Sequence, residues 1–347
     1  MFPRFGLVLM LNHACNLACS YCYTGLKFNR PMPTAVLEKS ITRACQSIAD
    51  GGVLELGFFG GEPFIEAELI RHATAFAGRE TRRLGLGLSL NVTTNGTLTS
   101  PLAWQIMIDP AMDLAISFDG LPEIHDRHRP FVDGRPSSAV VLATMRKLRC
   151  LGKRFNVISV VRPDTVEYIA EGLRFLQSEE VERVDLSLDL WTPWPACALE
   201  KLETDLAKAA NVWRSGLPRF GVNWFNEKTA ELCQIPMGET ARCGFGRGEV
   251  AVAPSGNLYP CERLIGEDRV GNTARIPGTI FDGNDFLNLA LPSLNTRGEC
   301  EETVCGLSCS CSNFVRTGST ERSDSLLNRL DRVCSRETRR VLGGRVA

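Results

Sequence analysis

The sequence predicts an α/β protein: a parallel sheet with crossover helices, followed by a small cysteine-rich lobe. Three observations carry this. Six apolar, strand-like runs alternate with helix-like segments between residue 5 and about residue 215. The alternation then stops, and from Cys243 the chain is rich in Gly, Cys, Asn and Pro. Seven of the 14 cysteines lie between 243 and 334, four of them within Cys300–Cys311.

The strand-like runs are Gly6–Leu11, Leu54–Phe59, Gly87–Thr93, Leu114–Phe118, Asn156–Val161 and Val184–Leu190. The first helix-like segment, Thr34–Ala49, is bounded by Pro33 and by Gly51-Gly52, which fit start and stop signals. Glu66–Leu84, Ser100–Ile108 and Ser137–Leu151 follow. Thr165–Ser178 has Asp164 placed to cap it, and Leu199–Arg214 ends the series. Strand–helix units in this order predict right-handed crossovers. An open barrel and a doubly wound sheet both satisfy the pattern, and either puts the site at the C-terminal strand ends. In the second part, Gly248–Ala253 and Asn257–Tyr259, joined by Pro254-Ser255-Gly256, read as a hairpin. The remainder shows short strands at best and too little apolar periodicity for a core of its own. Metal ligation would supply the missing stability. The expected boundaries are 1–215, a bridge over 216–242, and 243–347.

Net charge is −1 and the pI is near 6.5, which weighs against nucleic-acid or anionic-membrane partners. No apolar run reaches the roughly 18 residues of a membrane span. Phe5–Leu11 follows Arg4 but is short for a signal peptide and is cut off by Asn12 and His13. Many cysteines without a secretory signal predict a reducing, cytoplasmic setting and metal sites, not a disulfide framework. Cys45 and Cys150, away from any cluster, are expected as small buried residues.

The most informative stretch is Cys15-Asn16-Leu17-Ala18-Cys19-Ser20-Tyr21-Cys22, directly after the first strand. Thiolates hold iron–sulfur clusters, and three of them leave one iron of a four-iron cubane open to a ligand that is not protein. Zinc or disulfide pairing also accepts closely spaced cysteines. The CxxxCxxC spacing, with Tyr21 before the third cysteine, resembles the radical S-adenosylmethionine (radical SAM) family. Gly60-Gly61-Glu62-Pro63 follows the second strand. Alone it would be a tight turn in which two glycines admit a close backbone approach. It is similar to the family segment that holds the cofactor's amino group, with Glu62 as acceptor.

Thr94-Asn95-Gly96 and Ser117-Phe118-Asp119-Gly120 end the third and fourth strands and resemble family segments of peptide-modifying members. The resemblance puts Asn95 and Ser117 at the cofactor's ribose and carboxylate and counts Tyr21, Gly60, Gly61, Pro63, Thr94 and Asp119 among the cofactor contacts. Arg129 or Arg135 would pair with that carboxylate, and Val160 and Val161 would pack near adenine. Trp191 and Trp194 leave the sixth strand, where they would either grip substrate or pack between domains.

Cys243, twelve residues, Gly256, four residues and Cys261 are similar to the first half of the SPASM extension, which carries auxiliary clusters. The second half is Cys300-x4-Cys305-x3-Cys309-x-Cys311, then Cys334, where the usual spacing is x2, x5 and x3. By this resemblance one auxiliary cluster uses Cys243, Cys261 and Cys311, with Cys233 as a candidate fourth ligand. The other uses Cys300, Cys305, Cys309 and Cys334. Zinc in the same lobe is the alternative. Glu262, beside Cys261, is a candidate base.

Together the resemblance implies a partial (β/α)6 TIM-like barrel followed by a SPASM domain. It implies three [4Fe-4S] clusters, one of them binding S-adenosyl-L-methionine through Cys15, Cys19 and Cys22. It further implies reductive cleavage of that cofactor to a 5′-deoxyadenosyl radical that abstracts hydrogen from a substrate carbon. The expected substrate is a ribosomal peptide, receiving a thioether or carbon–carbon crosslink or a side-chain oxidation. A small-molecule dehydrogenase or ring-forming enzyme is the alternative, and a zinc-stabilised binding protein a remote one. A flavodoxin or ferredoxin would donate electrons. With 14 residues before Cys15, leader recognition is expected from a separate protein or from the SPASM surface.

Overall fold

The computed structural model describes residues 1–235, 245–291 and 310–343. Its first seven strands are β1 (Phe2–Met10), β2 (Ile48–Phe59), β3 (Gly87–Thr94), β4 (Met112–Ser117), β5 (Asn156–Val161), β6 (Arg183–Leu188) and β7 (Gly221–Val222). The helices of this part are α1 (Thr34–Cys45), α2 (Ala67–Leu84), α3 (Pro101–Ile108), α4 (Pro122–His128), α5 (Ser138–Cys150), α6 (Ile169–Ser178), α7 (Ala196–Gly216) and α8 (Asn223–Leu232). Neighbouring strands from β1 to β7 are parallel and lie side by side in sequence order. A doubly wound sheet reverses its order at a switch point. This one does not, so the fold is an open, partial (β/α) barrel.

Burial explains β1. Phe5, Leu7 and Leu9 alternate along it and are fully buried against Leu54, Leu56 and Phe58 of β2 in one core. Each such side chain contributes about 1.5–3 kcal/mol. On α2, Ile70, Ala73, Ala77 and Thr81 bury one face at helical spacing, and Gly85, with φ 67°, ends the helix.

Among the described residues, the strands of the second part join the same sheet. Its hairpin, β8 (Glu249–Val252) and β9 (Asn257–Tyr259), docks β8 parallel to β1 from Gly6 to Leu9. β10 (Ile276–Thr279) extends it. The edge of β1, which would otherwise present unpaired backbone groups, is thereby covered. Two helices follow, α9 (Ser310–Thr317) and α10 (Ser325–Leu342), and α10 packs on α7 and α8. The expectation of short strands at best is corrected by α10. Its apolar stripe of Leu326, Leu327, Leu330 and Val333 has helical spacing, and Asp324 caps it by accepting from the Leu327 amide at 3.0 Å.

Other expectations are also corrected. The first helix ends at Cys45, not Ala49, and Gly51-Gly52 lies within β2, at a register shift against β1. Asp164 caps nothing, because its carboxylate is engaged by Arg162 at 3.0 Å and His128 at 3.1 Å. Cys45 is buried, but Cys150 ends α5 exposed. A short strand and a helix, β7 and α8, occupy the stretch read as a bridge. The Asn223 side chain prolongs the sheet edge by accepting from the Leu186 amide at 2.9 Å and donating to the Leu186 carbonyl at 3.1 Å.

Arg43 of α1 ties the two parts together. It is 3% exposed and donates to the carbonyls of Asp285 (3.0 and 2.8 Å), Thr279 (3.0 Å) and Ile280 (3.1 Å), with its guanidinium 4.4 Å from the Phe286 ring centre. Arg43→Ala should lower stability by about 2–4 kcal/mol in urea unfolding, because it strands buried carbonyls. Arg43→Lys should recover little, since an ammonium cannot span the same carbonyls.

Candidate active site

The loop after β1 carries Cys15, Cys19 and Cys22, and Asn12 fixes it. The Asn12 side-chain oxygen accepts from the amides of Ala14 (3.0 Å) and Arg30 (2.9 Å). Its amide nitrogen donates to Asn29 (2.9 Å) and to the Glu66 carboxylate (2.6 Å). The loop after β2 lies directly against it: the amides of Gly61 and Glu62 donate to the carbonyls of Asn12 and Ala14, both at 2.9 Å. A Cβ on Gly60 would stand 2.6 Å from the Asn12 carbonyl oxygen, and one on Gly61 would collide harder with Ala14. The glycines therefore serve the contact between two loops, and both also line the cavity beside it.

These loops and the C-terminal ends of the strands border an open cavity of about 200 Å³. Of the residues expected from sequence, Cys15, Cys19, Tyr21, Cys22, Gly60, Gly61, Glu62, Thr94, Asn95, Ser117, Arg129, Val160 and Glu262 line it. Pro63 and Asp119 stand behind the lining. Asp119 accepts from Arg129 Nε (3.0 Å), the Val160 amide (3.0 Å) and the Tyr21 hydroxyl, so it positions three groups at once. Burial alone would raise its carboxyl, but the Arg129 charge holds it below the ordinary value. Arg135, the other candidate, is an exposed side chain paired with Asp133. Val161 lies in the core.

Glu62 is 1% exposed. Its carboxylate accepts from Thr94 Oγ1 (2.8 Å) and the amides of Phe64 (3.0 Å) and Asn95 (2.7 Å). Burial nevertheless pushes it up to about 7. No Lys or Arg among the described residues offsets its charge. A buried carboxylate that faces a cavity and has no cation paired to it fits an ammonium ligand.

Burial pushes the Cys15 thiol up to about 12 and that of Cys19 up to about 11. It works against Cys22 too, but the Lys27 ammonium at 2.8 Å and hydrogen bonds from Thr24 together outweigh it and lower that thiol. Buried thiols of this kind ionise when a metal takes them. Among the described residues no three His, Cys, Asp or Glu side chains form a single-ion site. A cubane requires none, since each thiolate bonds a different iron. The donor set and the neighbouring Glu62 thus fit a cluster with an amino-acid ligand beside it.

On the far wall, Tyr23 stacks between Phe59 (5.9 Å between ring centres) and Trp191 (5.1 Å). Trp191 is 45% exposed, whereas Trp194 is half-buried and donates to the Asp189 carbonyl at 2.9 Å. Asn12, Lys27, Tyr23 and Asp189 escaped the sequence reading. Asn12 had a usable signal, a polar residue directly after a buried strand, but Lys27 sits in no motif.

In the second part, Cys261 and Cys311 are buried in one small cluster with Phe245. Cys334 is buried on α10, and Cys233 is exposed at the end of α8. Cys243, Cys300, Cys305 and Cys309 lie outside the described residues.

The loop contact yields a direct expectation. Gly61→Ala should leave the helical signal intact but reduce iron bound per chain after anaerobic reconstitution, since the cysteine loop must move.

Residues 9–176 match the radical SAM superfamily. An uncharacterized protein of Methanocaldococcus jannaschii is 24% identical over 301 residues, covering 84% of this chain and 93% of its own. A serine-type anaerobic sulfatase-maturating enzyme of Klebsiella aerogenes is 26% identical over 292 residues, covering 78% and 69%. The solved structure of native anSMEcpe with bound AdoMet and Cp18Cys peptide superposes with a TM-score of 0.73 at 18% identity, covering 98% of this chain and 97% of that one. Likeness at that identity speaks for the fold, while the segment matched to the family contains the three cysteines, the Gly-Gly-Glu loop and the β3, β4 and β5 residues that line the cavity. Over residues 9–176 the chain carries a radical SAM superfamily domain.

Proposed function

We propose that this protein is a radical SAM enzyme that modifies a ribosomally made peptide, by crosslinking it or oxidising a side chain. The observation that carries the reading is the convergence of three cysteines, an unpaired buried carboxylate and polar strand ends in one cavity. Cys15, Cys19 and Cys22 would hold a [4Fe-4S] cluster. When bound, cluster and S-adenosylmethionine supply a one-electron cleavage that releases methionine and a hydrogen-abstracting 5′-deoxyadenosyl radical.

The chain's own part is to bind, orient and shield. Glu62 receives the cofactor's ammonium. Arg129, held by Asp119, presents positive charge to its carboxylate. Asn95 and Ser117 offer hydrogen bonds to ribose and carboxylate, and Val160 packs on the base. The Tyr23–Trp191 wall and Glu262 face the substrate, and Glu262 is the candidate acceptor for a substrate proton. Water exclusion follows from the burial of Glu62 and Arg129 beside the cavity.

Two auxiliary clusters fit the second part, one on Cys243, Cys261 and Cys311 with Cys233 as candidate fourth ligand, the other on Cys300, Cys305, Cys309 and Cys334. The shared burial of Cys261 and Cys311 supports the first. A sulfatase-maturating relative and a similar fold solved with a peptide support the substrate class. A low-potential flavodoxin or ferredoxin would serve as donor, and a separate protein would bind the leader, in the cytoplasm. No helix among the described residues is long and apolar enough to cross a membrane.

Anaerobic reconstitution followed by a dithionite-driven assay for 5′-deoxyadenosine tests this reading. The wild type should form it, and the Cys15→Ala, Cys19→Ala, Cys22→Ala triple variant should not. Zinc without iron in the wild type, and no cofactor cleavage, would refute it.

Glu62 sets a pH dependence. With its pKa near 7 it is protonated below that pH, and an ammonium ligand favours the ionised form. Cofactor affinity should rise with pH by up to about tenfold per unit below 7 and level off above. Without cofactor the sign reverses. Between the ordinary value of 4.5 and about 7 the folded chain holds a proton that the unfolded chain has lost, so stability falls as pH rises through that window. Glu62→Gln should flatten both profiles in calorimetric binding and in urea unfolding.

A further inference from the structure

Lys27 belongs to no motif, yet its ammonium points into the cysteine triad. Nζ lies 2.8 Å from Cys22 Sγ and also bonds Thr24 Oγ1, which is itself 3.2 Å from the same sulfur. Thr24 is 2% exposed, so this side of Cys22 is a built surface. Lys27 lines the cavity, and its hydrogen bonds run to sulfur and hydroxyl, with no carboxylate among them.

Its position is set from the second part of the chain. The Leu26 amide donates to Glu267 at 3.1 Å, and the Arg30 guanidinium reaches Asp268 at 3.3 Å. Asp268 is 7% exposed and also accepts from Tyr259 (2.7 Å) and Asn257 (2.8 Å). Gly25, with φ +70°, packs so closely on Glu267 that a Cβ would stand 2.6 Å from its carboxyl. The segment from Gly25 to Arg30 is thus seated on residues 267–268, with Lys27 in its middle.

We propose that Lys27 tunes the N-terminal cluster, its fixed positive charge and hydrogen bond at the Cys22 sulfur raising the cluster's reduction potential; this rests on the assignment of Cys15, Cys19 and Cys22 as cluster ligands. The physical basis is charge balance. Reduction adds one electron from an external low-potential donor and breaks no bond, so a cation beside a ligand sulfur stabilises the reduced state. Hydrogen bonds to the sulfurs and net charge are what set such potentials. The cavity's other cation at this end, Arg129, is hydrogen-bonded to Asp119 and acts on Cys19 by its charge alone, whereas Lys27 is the cation hydrogen-bonded to a cysteine sulfur.

The test is an EPR-monitored redox titration of the reconstituted full chain. The N-terminal cluster is identified as the signal that changes when S-adenosylmethionine is added, and its potential is then read without the cofactor. Lys27→Met should lower the ratio of reduced to oxidised cluster at a given poise about tenfold, which is 59 mV for one electron. Lys27→Arg should stay within about threefold of the wild type. Lys27→Gln, which keeps a donor without the charge, should fall between them and serves if Lys27→Met loads iron poorly. Equal potentials in all four proteins would overturn the inference. Weaker cofactor binding with an unchanged potential would overturn it too, and would make Lys27 part of the cofactor pocket. A wild type with no cofactor-sensitive signal would remove the cluster assignment itself.

Discussion

The contact between the loop after β1 and the loop after β2 governs the rest of this structure. Two adjacent parallel strands end together, and their loops exchange backbone hydrogen bonds through Gly60, Gly61, Asn12 and Ala14. One loop carries the cysteines and the other carries Glu62. Their spacing is fixed by parts with no spare volume: glycines that tolerate no Cβ, and an asparagine whose side chain satisfies four partners. The three cysteines and the Glu62 carboxyl group are thereby held at a set separation, so binding a ligand there need not order them.

The second part of the chain is a structural continuation of the first. β8 completes the edge of β1, Arg43 grips the backbone from Thr279 to Asp285, and Arg30 and Leu26 rest on Asp268 and Glu267. Its contribution to the cavity, Glu262 and Arg263, comes from the turn after β9. Arg263 reaches Ser187 of β6 at 3.3 Å, and Arg316 of α9 reaches the Leu190 carbonyl at 3.0 Å. The open side of the barrel is bridged by these arginines. A substrate held there would touch both parts at once.

Much of the site was legible because its chemistry is local. CxxxCxxC, Gly-Gly-Glu-Pro and the strand-end Asn95 and Ser117 are short segments, and their order along the chain matches strands that neighbour one another in order. Positions fixed by long-range contacts were not legible. Lys27 reaches Cys22 through a turn without a motif. Asp119, read as a cofactor contact, supports Tyr21, Arg129 and Val160 from behind. Gly51-Gly52 looked like a helix stop because glycine pairs end helices, but here they fall at a register shift within β2. The helix α10 was hidden among seven charged residues that obscured its apolar stripe of Leu326, Leu327, Leu330 and Val333. Sheet order was undetermined by periodicity, since parallel strands read alike in either winding.

The most direct test of the central claim is an anaerobic crystal structure of the reconstituted protein with S-adenosylmethionine. The account predicts iron–sulfur density at Cys15, Cys19 and Cys22, the cofactor's amine within hydrogen-bonding distance of Glu62, and the Asn12–Gly61 loop contact unchanged. A cofactor bound away from Glu62, or a single metal ion drawing the three cysteines together, would contradict it.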